Sequence, residues 1–351
     1  MQIDFIAPAP FDRINGGYEY DRRIVAGMRA LNHEVRVHEL EGGHPVADTA
    51  AVASARQCWQ SLPRNGVVVI DNLALASFAP LNAELATRPL IVLDHHPTGL
   101  ETGLDDVTRA SLIEVEKRLL RHARLVIATS QATADTLAAE FDVASERVCV
   151  IEPGTADAPR SRGSAPDGRG AVELLAIGTL IPRKGHDVLL RAIARLPDLD
   201  WHLTIAGSAR PDPDTAVALK SLAADLTIDS RVTFLGEMTG EPLAALWQQA
   251  DLFALATHYE GYGMAIAEAL KRGLPVAICG GGAAGALVTP QSGVVCPPAD
   301  IDQLSKALRR LIFDTELRRS LADGAWTAGQ SLPNWPTQTA RFAQAVASVA
   351  D

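Results

Sequence analysis

Short apolar runs separated by longer amphipathic stretches set the rhythm of this chain. Val67-Val68-Val69-Ile70-Asp71, Leu90-Ile91-Val92-Leu93-Asp94 and Leu125-Val126-Ile127-Ala128 are strand-length, rich in Val and Ile, and almost free of charge. Such runs read as buried strands of an α/β sheet. In the first half they predict strands at residues 2–9, 66–71, 89–94, 124–130 and 148–151, with an alternating strand at 35–38. Helices are expected between them at 18–31, 47–62, 106–122 and from a Ser130 cap to 140. In the second half, strands are expected at 172–177, 202–207, 231–236, 250–256 and from 276. Helices are expected at 188–195, up to 224, at 241–249, from about 262 to a stop at Gly273-Leu274-Pro275, at 301–313 and 316–328. Asn334-Trp335-Pro336 reads as a break before a last helix at 337–349.

Residues 152–170 interrupt the alternation. They are rich in Pro, Gly, Ser, Arg and Asp with almost nothing to bury, and read as a linker. A chain of 351 residues is also long for one core. Two domains are expected, 1–160 and 161–334, each a doubly wound α/β unit.

Composition narrows the partners. The chain is 47% hydrophobic and 21% charged, with net charge −10. That balance argues against nucleic acid, whose phosphates demand a basic face, and against tight docking on anionic lipid. Acids outnumber bases across residues 1–160, and the segment 47–62 carries the single cation Arg56. No apolar run is long enough to span a bilayer. The start, Met1-Gln2-Ile3-Asp4, lacks the basic and apolar regions of a signal peptide, so a cytoplasmic location is expected. Cys58, Cys149, Cys279 and Cys296 are scattered and read as reduced thiols. No metal set is visible. His95 and His96 are adjacent and diverge, and the Asp198/Asp200, Asp212/Asp214 and Asp300/Asp302 pairs read as solvated turns rather than metal ligands.

Two stretches carry candidate chemistry. After the strand at 172–177 comes Gly178-Thr179-Leu180-Ile181-Pro182-Arg183-Lys184-Gly185-His186-Asp187, where two cations stand at the entrance to a helix. Charge and free backbone donors together suit a pyrophosphate. A surface turn with two solvated cations is the plainer alternative. The second stretch is His258-Tyr259-Glu260-Gly261-Tyr262-Gly263-Met264, followed by a helix carrying Glu268 among Ala, Ile and Leu. Gly261 and Gly263 allow a sharp turn and close ligand approach. An acid on so apolar a helix needs a partner, which a sugar or ribose hydroxyl could be. The plainer alternative is a solvated Glu260 and a core Glu268 paired to Arg or Lys. A third feature is Asp94-His95-His96-Pro97 at a strand end, where both His could simply fill a loop.

Taken together, Arg183-Lys184 and Glu260-x7-Glu268 resemble the donor-sugar motifs of the GT4 group of retaining glycosyltransferases, and the likeness extends over nearly the whole chain. The resemblance implies a GT-B fold, two Rossmann-like domains facing a central cleft, with residues 335–351 returning to the first domain. It implies a donor site built from Gly16, Gly17, Gly178, Arg183, Lys184, Met238, Glu260, Gly261, Tyr262, Gly263, Met264 and Glu268. Arg183 and Lys184 would hold the diphosphate, Glu260 the sugar, Glu268 the ribose, and Met238 would lie beside the base. His95 would face the sugar near the reacting carbon, with His96 as its substitute and Glu101 a further candidate in the same loop. No metal or cofactor is implied, because protein cations neutralise the leaving group. UDP is expected ahead of GDP on family frequency, and the acceptor is expected to be a small soluble molecule. Two departures stand out: Asn32 replaces a usual Gly, and Gly285-Ala286 replaces a usual Pro-Glu after Gly280-Gly281-Gly282. The competing readings are another GT-B enzyme, such as a nucleotide-sugar epimerase or a phosphorylase, and a silent nucleotide-sugar-binding protein.

Overall fold

In the computed structural model, which describes residues 1–164 and 170–350, the apolar runs lie in two parallel sheets. The first holds β1 (Gln2–Pro8), β2 (Glu34–Leu40), β3 (Val67–Asp71), β4 (Leu90–Asp94), β5 (Leu125–Ala128) and β6 (Val148–Val150), in the order β2-β1-β3-β4-β5-β6. The second holds β7 (Val172–Ile177), β8 (Trp201–Ala206), β9 (Val232–Gly236), β10 (Leu252–Leu255), β11 (Val276–Cys279) and β12 (Gly293–Cys296), in the order β12-β11-β10-β7-β8-β9. The strands are apolar at successive positions because helices cover both faces. In the first sheet Phe5, Val69 and Leu93 pack with Tyr20, Ile24 and Phe342 on one side. Ile6, Ile70 and Val92 pack with Trp59, Phe78 and Leu137 on the other.

The chain divides into two units, Met1–Gly154 with Pro333–Asp351, and Thr155–Leu332. Residues 155–160, assigned to the first domain from sequence, therefore group with the second. Lys271 Nζ pairs with Asp157 at 2.9 Å, and Gln248 Nε2 donates to the Pro159 carbonyl. The expected linker is also less bare than its composition suggests. Pro153, Gly154 and Thr155 are buried, and Ser161 Oγ lies 2.8 Å from the Ala250 carbonyl oxygen and 3.1 Å from that of Gln248. Residues 165–169 of that linker lie outside the described residues.

Helix boundaries follow their caps. Asp48, Asp105, Ser130, Asp212 and Asp300 each accept a backbone N–H of the first turn. Two of the Asp-x-Asp pairs are thus helix starts. The expected break at Asn334-Trp335-Pro336 is itself a helix start. The last helix runs Trp335–Ala350, with Asn334 Oδ1 accepting from Thr337 N, and Pro336 sits in the first turn where its missing N–H costs nothing. That helix joins the first unit through Phe342, Val346 and Val349. Residues 72–85, for which the pattern predicts nothing, form three short helical turns, Asn72–Leu75, Ala76–Leu81 and Asn82–Leu85. Among the described residues, no helix is long and apolar enough to cross a membrane.

Each sheet contains one reversal of strand order. In open parallel sheets, ligands collect beyond the carboxyl ends of the strands at that reversal. It lies between β1 and β3 in the first unit and between β7 and β10 in the second.

Candidate functional site

In the second unit, β7 runs into Gly178, a tight turn at Pro182–Lys184, Gly185 and the helix His186–Ile193. Gly185 has φ +60°, and a Cβ there would lie 1.9 Å from the Ala256 carbonyl oxygen. Only glycine fits, so the loop lies directly against the end of β10. Lys184 Nζ donates to Glu260 Oε1 at 2.6 Å, and Arg183 Nη1 donates to the Tyr259 carbonyl at 2.7 Å while standing 3.9 Å from Glu260 Oε2. Thr257 Oγ1 lies 3.1 Å from the Arg183 carbonyl and 3.0 Å from that of Tyr259, tying the two loops together. Gly178 leaves room for the Lys184 stem, since a Cβ there would touch Lys184 Cδ at 3.4 Å.

Glu260 is gripped from its other side by Gly281-Gly282. Its N–H donates to the Gly281 carbonyl, Ala283 N–H donates to its carbonyl, and a Cβ on Gly282 would lie 2.3 Å from that same oxygen. Glu260 is buried. Burial pushes its carboxyl up, but Lys184 and then Arg183 outweigh this and hold it below the ordinary value. The structure thus reverses the plainer sequence reading of the two acids. Glu260 is the buried, paired one and Glu268 is half-buried, because the loop folds inward while the helix turns that face outward. The helix begins at Met264 rather than near Tyr262, since Gly263 at φ +104° ends the loop. Tyr262 is buried, and Gly261 and Met264 are half-buried around that turn; Met238 is half-buried in the loop between β9 and the helix Gly240–Gln249.

The first unit assembles a different cluster at its own switch point. Gly16 and Gly17 open the helix Gly16–Ala30 rather than a loop before it, because Asn15 caps Tyr18 N. A Cβ on Gly17 would meet His95 Cδ2 at 3.4 Å. His95 follows β4, and its Nε2 lies 2.9 Å from Asp21 Oδ1, with the Tyr20 ring edge-on at 5.2 Å between centroids. Asn72 holds the loop by accepting from His95 N and donating to the His96 carbonyl. Buried Glu116 accepts from Thr98 N, Thr98 Oγ1 and Gly99 N. His96 and Glu101 are half-buried in that loop. Asp71 ends β3 and Asp94 ends β4, both buried.

Ligand atoms of Asp21, Asp71 and His95 lie within 4.8 Å of one another. A cation could be held at that spacing, but the Asp21–His95 contact is a direct hydrogen bond between the two facing atoms. The His95 ring is lowered by burial, yet Asp21, by charge and hydrogen bond, then Asp71 and Asp94, raise it to about 9. Burial and the Asp21 charge push Asp71 up to about 8, and burial pushes Asp94 well above the carboxylate range. Sequence reasoning missed Asp21, Asp71 and Asn72. A signal for two of them was present: Asp71 closes an otherwise apolar strand, and Asp21 falls on the 18–21–24/25–28 stripe of its helix, whose other members are all buried.

Comparison with known proteins accords with this architecture. A family model described as glycosyl transferases group 1 matches residues 161–326, and one described as glycosyltransferase family 4 matches residues 14–157. The D-inositol 3-phosphate glycosyltransferase of Salinispora arenicola is 34% identical over 60% of this chain and 52% of its own. The MMP alpha-(1->4)-mannosyltransferase of Mycolicibacterium hassiacum is 27% identical over 81% of this chain and 72% of its own. The chain thus spans about half the length of several curated relatives that it matches. Among solved structures, sucrose-phosphate synthase from Thermosynechococcus elongatus superposes with TM-score 0.82 at 19% identity, covering 99% of this chain and 98% of that one. Anabaena HepE, in complex with UDP and glucose, gives 0.79 at 20%, covering 99% and 100%. The fold is that of the GT-B glycosyltransferases.

Proposed function

We propose, from the premise that this chain belongs to the group 1 glycosyltransferases, that it moves a sugar from a nucleoside diphosphate donor to a small soluble acceptor with retention of configuration. The observation that carries this reading is the Arg183–Lys184–Glu260 constellation beyond the ends of β7 and β10. Lys184 brings a compact ammonium to this loop and Arg183 a planar fork of N–H donors, both groups that suit phosphate oxygens. A leaving diphosphate would therefore meet two cations in a water-poor site, which stabilises charge as it develops without a metal. Glu260, kept ionised by the same cations, would accept hydrogen bonds from donor-sugar hydroxyls. Glu268, about one turn into the helix, would take the ribose.

UDP is our preferred nucleotide, supported by the HepE complex. A small acceptor is supported by relatives named for D-inositol 3-phosphate and by the excess of acids across residues 1–160. We place the reaction in the cytoplasm. A thermal-shift panel of nucleoside diphosphates and nucleotide-sugars, followed by turnover with the best donor, tests the reading. Glu260→Gln should cut turnover by a factor on the order of a hundred with UDP affinity little changed, as for a transition-state contact. Wild-type turnover in that variant would remove Glu260 from the role, and a panel without any stabilising nucleotide would remove the function.

A further inference from the structure

Outside the cation–carboxylate constellation, the first unit gathers three buried acids, Asp21, Asp71 and Asp94, around the half-buried His95. We propose that Asp21 and Asp71 share one proton and together hold His95 as an imidazolium, so that its free nitrogen is a fixed hydrogen-bond donor to a hydroxyl or phosphate oxygen of the substrate. Only the word substrate rests on the glycosyltransferase reading; the proton arrangement stands on the geometry.

Asp21 Oδ1 takes the His95 Nε2–H at 2.9 Å, while Asp21 Oδ2 is buried with no hydrogen-bond partner. Asp71, the neighbouring carboxyl, accepts from Leu73 N through Oδ1 at 2.9 Å, which leaves its other oxygen to carry a proton. Two buried carboxylates this close do not both ionise. A proton on Asp71 supplies the donor that Asp21 Oδ2 lacks, and an unmade buried hydrogen bond is what such an atom cannot sustain. The raised Asp71 carboxyl agrees in direction.

Among the described residues, Asp21 has no hydrogen-bonded cation other than His95. Asp94 is buried and pushed toward its neutral form. Glu116 is occupied by Thr98 and Gly99. Tyr18 and Tyr20 donate to the Pro8 and Ile151 carbonyls, and both phenols are pushed up. Arg13 lies over the outer Tyr18 ring, and Arg341 exerts its charge on Tyr20. The cluster then holds one cation, one anion and two neutral acids, the charge-balanced state that burial favours. With Nε2 committed to Asp21, Nδ1 is the nitrogen through which the ring, 19% exposed, meets a ligand. In the imidazolium Nδ1 bears a proton. His95 would therefore stabilise an electron-rich oxygen and would not act as the base that deprotonates the acceptor. Asp21 is a positioning residue and Asp71 supports it.

The test is a pH titration of ¹³Cε1-histidine-labelled protein by NMR, with His95→Gln assigning the resonance, in EDTA and without nucleotide. The expected midpoint for His95 lies above pH 8. Asp71→Asn, whose amide can donate to Asp21 as the shared proton does, should keep it there. Asp21→Asn should lower it by more than one pH unit, a tenfold or greater loss in proton affinity, and should add an alkaline-side limb to the kcat/KM profile, with activity falling as pH rises between 6 and 8. A wild-type midpoint at or below the ordinary histidine value overturns the proposal. So does an equal fall in Asp71→Asn, which would mean an ionised Asp71, or a titration that changes between EDTA and added zinc, which would mean a cation in the cluster. If Asp21→Asn does not fold, the wild type and Asp71→Asn decide. Because these titrations need no sugar, their failure leaves the glycosyltransferase reading standing, and absent turnover leaves them standing.

Discussion

Replacing Lys184 by methionine keeps most of the side-chain length and deletes the charge 2.6 Å from Glu260. Glu260 is 7% exposed, so the variant strands a carboxylate in a poorly solvated place. Removing one partner of a fully buried pair costs about 3–5 kcal/mol. Here Arg183 remains 3.9 Å away, and the Lys184 side chain is 16% exposed, so about 1–3 kcal/mol is the reasoned loss at pH 7. The pH dependence should reveal the cause. In the wild type the Glu260 carboxyl is held below its ordinary value, so its contribution is present above the unfolded carboxylate range and is lost only as pH falls beneath it. In Lys184→Met the largest remaining influence is burial, which pushes the carboxyl up. The folded variant then binds a proton that the unfolded chain does not, and its stability rises between pH 7 and pH 5. Urea unfolding at the two pH values should show the deficit narrowing on acidification, and Lys184→Met/Glu260→Gln should regain part of it. Calorimetry should show UDP or GDP binding weaker by about ten- to a hundredfold in both variants, as for one lost charge-assisted contact. A deficit that is absent at pH 7 or widens toward pH 5 would refute the buried-pair argument. Unchanged affinity for both nucleotides would refute the phosphate role.

Three further outcomes are expected. Gly185→Ala should lose more than about 2 kcal/mol in urea unfolding, since it forces a left-handed alanine and puts Cβ onto the Ala256 carbonyl; a loss under about 0.5 kcal/mol would show that the loop relaxes freely. Activity in excess EDTA should stay within about twofold of that in magnesium, because Arg183 and Lys184 take the metal's part; loss on chelation restored by a divalent ion would reject this. The protein should stay in the supernatant with anionic liposomes at low salt, where electrostatic docking is strongest; co-sedimentation with liposome-dependent activity would move the acceptor into a membrane.

Local physics was legible along the chain. Apolar runs bounded by Gly, Pro and Asn marked the strands, and Ser130 marked a helix start, because burial on two faces and backbone capping leave their signatures within a few residues. The Arg183-Lys184 loop and the Glu260 loop were visible as motifs for the same reason. The short turns of 72–85 were not visible, since each is too brief to show a period. Which acid would be buried was not legible either. Glu260 turns inward because Gly281 and Gly282 admit its backbone and Lys184 reaches it from 76 positions away. The strand order β2-β1-β3-β4 brings Asp21, Asp71 and His95 together from three separate crossovers. Periodicity records how one segment meets water. Which segments become neighbours, and so which charges must share a proton or a partner, depends on strand order and close packing, and these exist only once the chain has folded.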